Sequence, residues 1–206
     1  MNGLFITFEG GEGAGKTTLI DRILKTLQEE RQDVFKTREP GGTPLGEEIR
    51  SLLLHQMRPL SPFAELALFL ASRAQHIDEA ILPALRSGKI VLCDRFNDSS
   101  IAYQGMARGL GMDKVEAACR FFCHGLEPHL TLYLDIDPEI GLSRAKKERA
   151  QDRIEAEDIA FHAKIREGYH AIHKQEPKRF RLLDASRTPE QVFHEAIAIV
   201  RSMRKR

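Results

Sequence analysis

A single α/β domain, with a mostly parallel sheet of five strands and helices on both faces, is the fold this sequence predicts. Three observations predict it. Short apolar runs alternate with helical segments along the chain. Two of those runs, "KIVLCD" and "LTLYLDI", are nearly all apolar, as strands buried on both faces are. The length of 206 residues suffices for one such domain with a proper core and is short for two.

The elements follow in order. "LFITFEG" is an apolar strand that stops at glycines, and "KTTLIDRILKTLQEE" carries apolar residues at helical spacing. "DVFKTREPGG" is a short second strand running into a Pro-Gly-Gly turn. "PLGEEIRSLLLH" is helical, with Pro44 suited to a first turn. Pro59 and Pro62 break the chain before one long helix, "FAELALFLASRAQHIDEAILPALRSG", expected to bend at Pro83 and end at Gly88. "KIVLCD" and "LTLYLDI" supply the third and fourth strands and "FRLLDA" the fifth. "PEQVFHEAIAIVRSMRKR" is an amphipathic helix whose basic end complements the helix dipole.

Composition narrows the setting. Hydrophobic residues make up 42% and charged residues 30%, a globular balance. A formal net charge of +1 gives no field to draw nucleic acid or an anionic membrane, so neither is an expected partner. No apolar run approaches the ~18 residues of a membrane span. "MNGLFITFEG" lacks a basic start and reaches Glu9 too soon for a signal peptide, so a cytoplasmic location is expected. Cys93, Cys119 and Cys123 lack CxxC spacing and are expected to be buried, inert thiols, although Cys119 and Cys123 share a helix face near His124 and His129.

The chemistry begins at "EGGEGAGKTT". Gly10, then Gly15, Lys16 and Thr17, match GxxxxGK[ST] between a strand and a helix. The glycines let backbone N–H groups turn inward on phosphates, and the helix N-terminus adds its positive end. Lys16 can reach the terminal phosphates and the Thr17 hydroxyl can ligate Mg²⁺. Gly11, Glu12, Gly13, Ala14 and Thr18 complete the nucleotide loop. Glu12 sets a carboxylate among phosphate-binding groups, which costs free energy unless it meets a partner. Asp94 ends a buried strand where a carboxylate would hold Mg²⁺ or its waters, and Arg95 follows it.

Five stretches resemble the thymidylate kinase family in its bacterial form: "FEGGEGAGKTT", "TREPGGT", "FLASRAQH", "CDRFNDSSIAYQG" and "DRIEAED". The resemblance runs in order over nearly the whole chain. It implies a phosphate-loop kinase fold, the conversion of Mg·ATP and dTMP to ADP and dTDP in supply of dTTP for DNA synthesis, and a homodimer. It leaves one domain over residues 1–206, with a lid at about 144–155.

The resemblance also assigns roles. Phe69 stacks on thymine and Arg73 forks onto its O4 edge, donors that meet the amino group of cytosine donor against donor. By spacing alone, a core Phe69 and a surface Arg73 are the better reading, and the resemblance reverses it. Ser100 and Gln104 lie around the base, Tyr103 beside the sugar C2′, and Glu39 and Pro40 shape the acceptor pocket. Arg50 and Arg95 hold the dTMP phosphate in line with the γ-phosphate. Glu12 accepts from the 3′-hydroxyl of the sugar. The basic stretch with Arg144, Lys146, Lys147, Arg149 and Arg153 is a lid over ATP, in which Arg144 packs on adenine and Arg153 turns toward the phosphates. Whether Arg149 or Arg153 meets the transferring phosphoryl stays open. The absence of an NKxD stretch argues against a guanine-reading switch, while an ATP-binding regulatory module and a different nucleoside monophosphate kinase are the competing classes.

Overall fold

The computed structural model describes residues 3–55, 59–148 and 153–204, with the backbone alone for 146–148. Five strands, β1 (Leu4–Gly10), β2 (Val34–Arg38), β3 (Ile90–Asp94), β4 (Leu130–Asp135) and β5 (Phe180–Asp184), pair in parallel in the order β2-β3-β1-β4-β5. All five expected strands are present, and parallel pairing requires the helical crossovers that separate them.

Strand period sorts the core into two faces. Ile6 and Phe8 of β1, Leu92 of β3 and Leu132 and Leu134 of β4 pack on one side. They meet Ile20, Ile23 and Leu27 of α1 (Lys16–Glu29) and Ala196, Ile197 and Val200 of α9 (Pro189–Met203). The alternate residues Phe5, Val91 and Cys93 face the other side. That side is covered by α3 (Pro62–His76), α4 (Leu82–Arg86), α6 (Met112–Phe122) and α8 (Ile159–Gln175), with α2 (Pro44–His55) packed on α3. Glu9 falls on this second face and Asp94 on the first, which separates their tasks below.

Local signals start the helices where side chains can cap them. Asp158 accepts from the Phe161 N–H ahead of α8, and Ser61 from the Ala64 N–H ahead of α3. Thr188 and Gln191 form a reciprocal capping box at α9. The expected long helix over 63–88 is interrupted: α3 ends at His76, a π-helical turn spans Ile77–Ile81, and Pro83 stands in the first turn of α4. The break therefore precedes the proline. A second π-helical stretch, Ile101–Ala107, continues the short α5 (Asn97–Ser100), and α7 (Pro138–Glu148) follows β4.

The three cysteines are free and buried, as expected of inert thiols. Burial pushes the Cys123 thiol up to about 12. No grouping forms around Cys119 and Cys123 among the described residues: His129 Nδ1 accepts from the Phe5 N–H and His124 lies near Asp78.

A buried ion pair ties β4, β5 and α5 together. Arg179 donates through both terminal nitrogens to Asp98, at 2.8 and 2.9 Å, and Thr131 Oγ1 donates to the same carboxylate at 3.0 Å. Asp98 is 2% exposed. Arg179→Met should therefore cost about 3 kcal/mol of unfolding free energy, because it strands a buried charge. Denaturant titration measures it, and a loss below about 1 kcal/mol would place the pair in the exposed class.

Candidate active site

The loop after β1 returns the chain tightly under the start of α1. Gly13 has φ +65°, and a Cβ there would lie 2.0 Å from the Gly141 carbonyl oxygen of α7. Glycine is thus required by both backbone conformation and space. Lys16 Nζ folds back to donate to the carbonyls of Gly10 and Gly11, at 3.1 and 3.0 Å. Burial, with Arg95 nearby, lowers the Lys16 pKa from its ordinary value, against the pull of Glu12, Asp94 and Glu9.

An open cleft of ≈1240 Å³ runs along this loop from Glu12 to Thr18 and on past Asp94, Arg95 and Arg144. Gly10 and Gly11 do not line it; their carbonyls accept from Lys16, which does. Asp94 Oδ1 is buried and has no hydrogen-bond partner. A hard cation takes oxygen ligands, so this orphaned carboxylate oxygen and the Thr17 hydroxyl in the same cleft fit a Mg²⁺ ion.

A smaller pocket of ≈90 Å³ opens beside the cleft and shares Glu12, Glu39, Arg50 and Arg95 with it. Pro40, Phe69, Arg73, Ser100, Tyr103 and Gln104 line it further, with Leu54, Ser99 and Ile154. Every residue expected around an acceptor is therefore brought together here. Arg50 NH1 donates to the Pro40 carbonyl at 2.9 Å.

Glu12 meets its partner at the junction of the two spaces. Arg95 NH2 donates to Glu12 Oε1 at 2.7 Å, and the Tyr103 hydroxyl donates to the same oxygen at 3.3 Å. Arg95 sits at φ +70°, a left-handed backbone that a non-glycine residue adopts only when its surroundings impose it. Those surroundings are visible. Its guanidinium lies 5.0 Å from the Tyr103 ring centroid and reaches the Ser99 and Tyr169 hydroxyls at 3.3 and 3.4 Å. Beneath it, Glu9 accepts from the Phe96 N–H at 2.8 Å, from Tyr169 at 2.9 Å and from Ser99.

Two expected directions differ in the structure. The Arg73 fork is turned inward: Nε donates to Glu39 at 2.6 Å, NH1 to Ser100 at 2.9 Å and NH2 to the Phe96 carbonyl at 3.0 Å. A guanidinium has five N–H donors. With a long contact from NH1 to Cys119 Sγ, one NH2 hydrogen remains for the pocket, fewer than a bidentate fork needs. Glu39 is in turn held by His76 Nδ1 at 3.0 Å, and His76 Nε2 meets Thr37. Arg153 points to the acceptor side, away from the phosphate loop, donating to Glu65 at 2.7 Å and to the Leu53 carbonyl at 3.0 Å. Arg144 donates to the Ala185 carbonyl at 3.1 Å. Arg149 lies outside the described residues, as do 150–152 of the expected lid.

Glu9, Ser99, Tyr169, His76 and Glu65 were not among the expected site residues. A carboxylate closing an apolar strand was the one available signal for Glu9. Burial, together with the nearby charge of Asp98, pushes the Glu9 carboxyl from 4.5 up to about 7. A folded-state pKa raised in this way contributes stability that is complete below about 4.5 and lost as pH rises through about 7. Glu9→Gln removes this loss. Chemical denaturation at pH 5 and pH 8 should show the variant gaining on the parent as pH rises, and a constant difference would contradict it.

The chain is similar to known proteins over nearly its whole length. The family model described as thymidylate kinase matches residues 8–197. The thymidylate kinase of Protochlamydia amoebophila is 50% identical over 206 residues, covering 96% of this chain and 92% of that protein. That of Shouchella clausii is 46% identical over 204 residues, covering 98% and 96%. The crystal structure of thymidylate kinase from Ehrlichia chaffeensis superposes with a TM-score of 0.79 at 32% identity, covering 97% of this chain and 99% of that one.

Proposed function

The chain belongs to the thymidylate kinase family, and from that premise we propose how its residues carry the family's reaction. The protein is an ATP:dTMP phosphotransferase that converts dTMP to dTDP with Mg·ATP. The observation that carries the site assignment is the junction at which Arg95 and Glu12 stand between the phosphate cleft and the smaller pocket.

The cleft takes ATP. Backbone N–H groups from Gly11 to Thr18 and the N-terminus of α1 receive the phosphates, and Lys16 exchanges its two loop carbonyls for phosphate oxygens. Arg144, held over the cleft by Ala185, packs on adenine. Thr17 and Asp94 would hold Mg²⁺, which when bound would neutralise charge on the phosphates.

The smaller pocket takes dTMP. Phe69 offers a ring face to the base, and Arg73, fixed by Glu39, offers its remaining N–H to the O4 edge. Ser100 and Gln104 complete that wall, with Pro40 shaping it and Tyr103 beside the sugar C2′. Arg50 and Arg95 hold the 5′-phosphate so that one of its oxygens bonds to the γ-phosphorus as the bond to ADP breaks. Glu12 steers Arg95 and receives the sugar 3′-hydroxyl. No proton need move, so positioning and charge neutralisation supply the catalysis. Arg153, tied to Glu65, anchors one arm of a lid over about 144–155 within a single domain, and the same lid carries Arg149.

A homodimer is the expected assembly. Leu52 of α2, Phe63 of α3 and Phe121 of α6 are exposed, and these helices pack as one layer. That apolar surface supports a contact between copies. No helix among the described residues is long and apolar enough to cross a membrane, and we place the protein in the cytoplasm, supplying dTTP synthesis.

Lys16→Ala should keep the circular dichroism spectrum and lose turnover by on the order of 10²–10³, the usual loss when one preorganised charge is removed. Activity within a few-fold of the parent would refute the role of the loop. Sedimentation at micromolar concentration should give the mass of two chains, and a single-chain mass would remove the dimer.

A further inference from the structure

Among the described residues, Gln104 brings the only side-chain amide to the pocket wall, and an amide can turn either end toward a ligand. The group that decides lies behind the wall. Glu65, in the first turn of α3, is 1% exposed. Its Oε1 accepts from Gln104 Nε2 at 2.8 Å and from Arg108 Nε at 3.2 Å. Its Oε2 accepts from Arg108 NH2 at 3.2 Å and Arg153 NH2 at 2.7 Å. Burial opposes ionisation of Glu65, but the hydrogen bonds from Gln104, Arg108 and Arg153 outweigh it and hold the carboxyl below its ordinary value. An ionised carboxylate only accepts, so the NH₂ end of Gln104 must face it. The carbonyl oxygen is then the polar end left for the pocket that Gln104 lines.

We propose that Glu65 is a positioning residue for base choice: by holding the Gln104 amide with its oxygen inward, it sets an acceptor beside the Arg73 donor. The inference rests on reading this pocket as the dTMP site. An acceptor next to a donor matches a pyrimidine that presents a ring N3–H beside a carbonyl, as thymine and uracil do. Cytosine presents a bare N3 beside an amino group, so both contacts become like against like. Glu65 thus imposes the choice without touching the substrate. It also links that choice to the lid, because Arg153 shares the carboxylate.

The test compares kcat/KM for dTMP, dUMP and dCMP in the parent and in Glu65→Gln. An amide at position 65 has a donor end as well as an acceptor end, so it no longer dictates the orientation of Gln104. The dTMP-to-dCMP preference should fall on the order of tenfold, the scale of one well-made hydrogen-bond pairing with a base. The dTMP-to-dUMP ratio should hold, since both bases carry N3–H. An unchanged dTMP-to-dCMP ratio, or an equal fall in both ratios, would overturn the proposal. Should the single variant fail to fold, Glu65→Gln/Arg108→Gln, with one buried cation fewer, carries the same comparison. A parent that fails to phosphorylate dTMP would instead refute the reading of the pocket.

Discussion

The ion pair between Glu12 and Arg95 is the constraint on which the site depends. It joins the loop after β1 to the turn after β3, the two neighbouring strand ends at the centre of the sheet. Each partner needs the other. Glu12 without a cation would put a negative charge beside bound phosphates, and Arg95 without a carboxylate would have less to fix its guanidinium in a left-handed backbone. Both side chains are largely buried, at 13% and 17% exposure, so the attraction is weakly screened and both partners lose by separation. The carboxylate in the phosphate loop therefore serves the acceptor side of the site more than the nucleotide side.

Strand alternation makes this arrangement possible. Asp94 ends β3 on the α1 face, beside the phosphate loop, where an unpartnered oxygen suits a cation. Arg95, one residue on, leaves the strand for the other face and the acceptor pocket. Glu9, on that same face, grips the following turn through the Phe96 N–H, Ser99 and Tyr169. A shift of one residue in β1 or β3 would exchange these faces and send a carboxylate where a cation is required.

Much of this was legible in the sequence for identifiable reasons. Strands such as "KIVLCD" are read from continuous apolarity, and the loop from glycine spacing, because backbone geometry dictates both. The pocket residues were read from family resemblance, and they converge. Partner choice within the pocket was not legible. Nothing in the spacing of Arg73 tells that Glu39, Ser100 and the Phe96 carbonyl would take most of its donors, since these lie far away in sequence. The same holds for Arg153, which reads as one more lid base until Glu65 is placed beside it. Glu65 itself looks like a first-turn helix acid, a role that needs no tertiary partner. The helix over 63–88 was read through its interruption because a π-helical turn keeps the apolar spacing nearly intact.

A double-mutant cycle on the Glu12–Arg95 pair tests the central claim most directly. Glu12→Gln, Arg95→Gln and the double variant would be compared with the parent by kcat/KM for dTMP at saturating Mg·ATP. If the pair acts as a unit, the second substitution should cost far less than the first, with a coupling of roughly 1–3 kcal/mol. Costs that add within about 0.5 kcal/mol would mean that the two residues act independently, and would contradict the account.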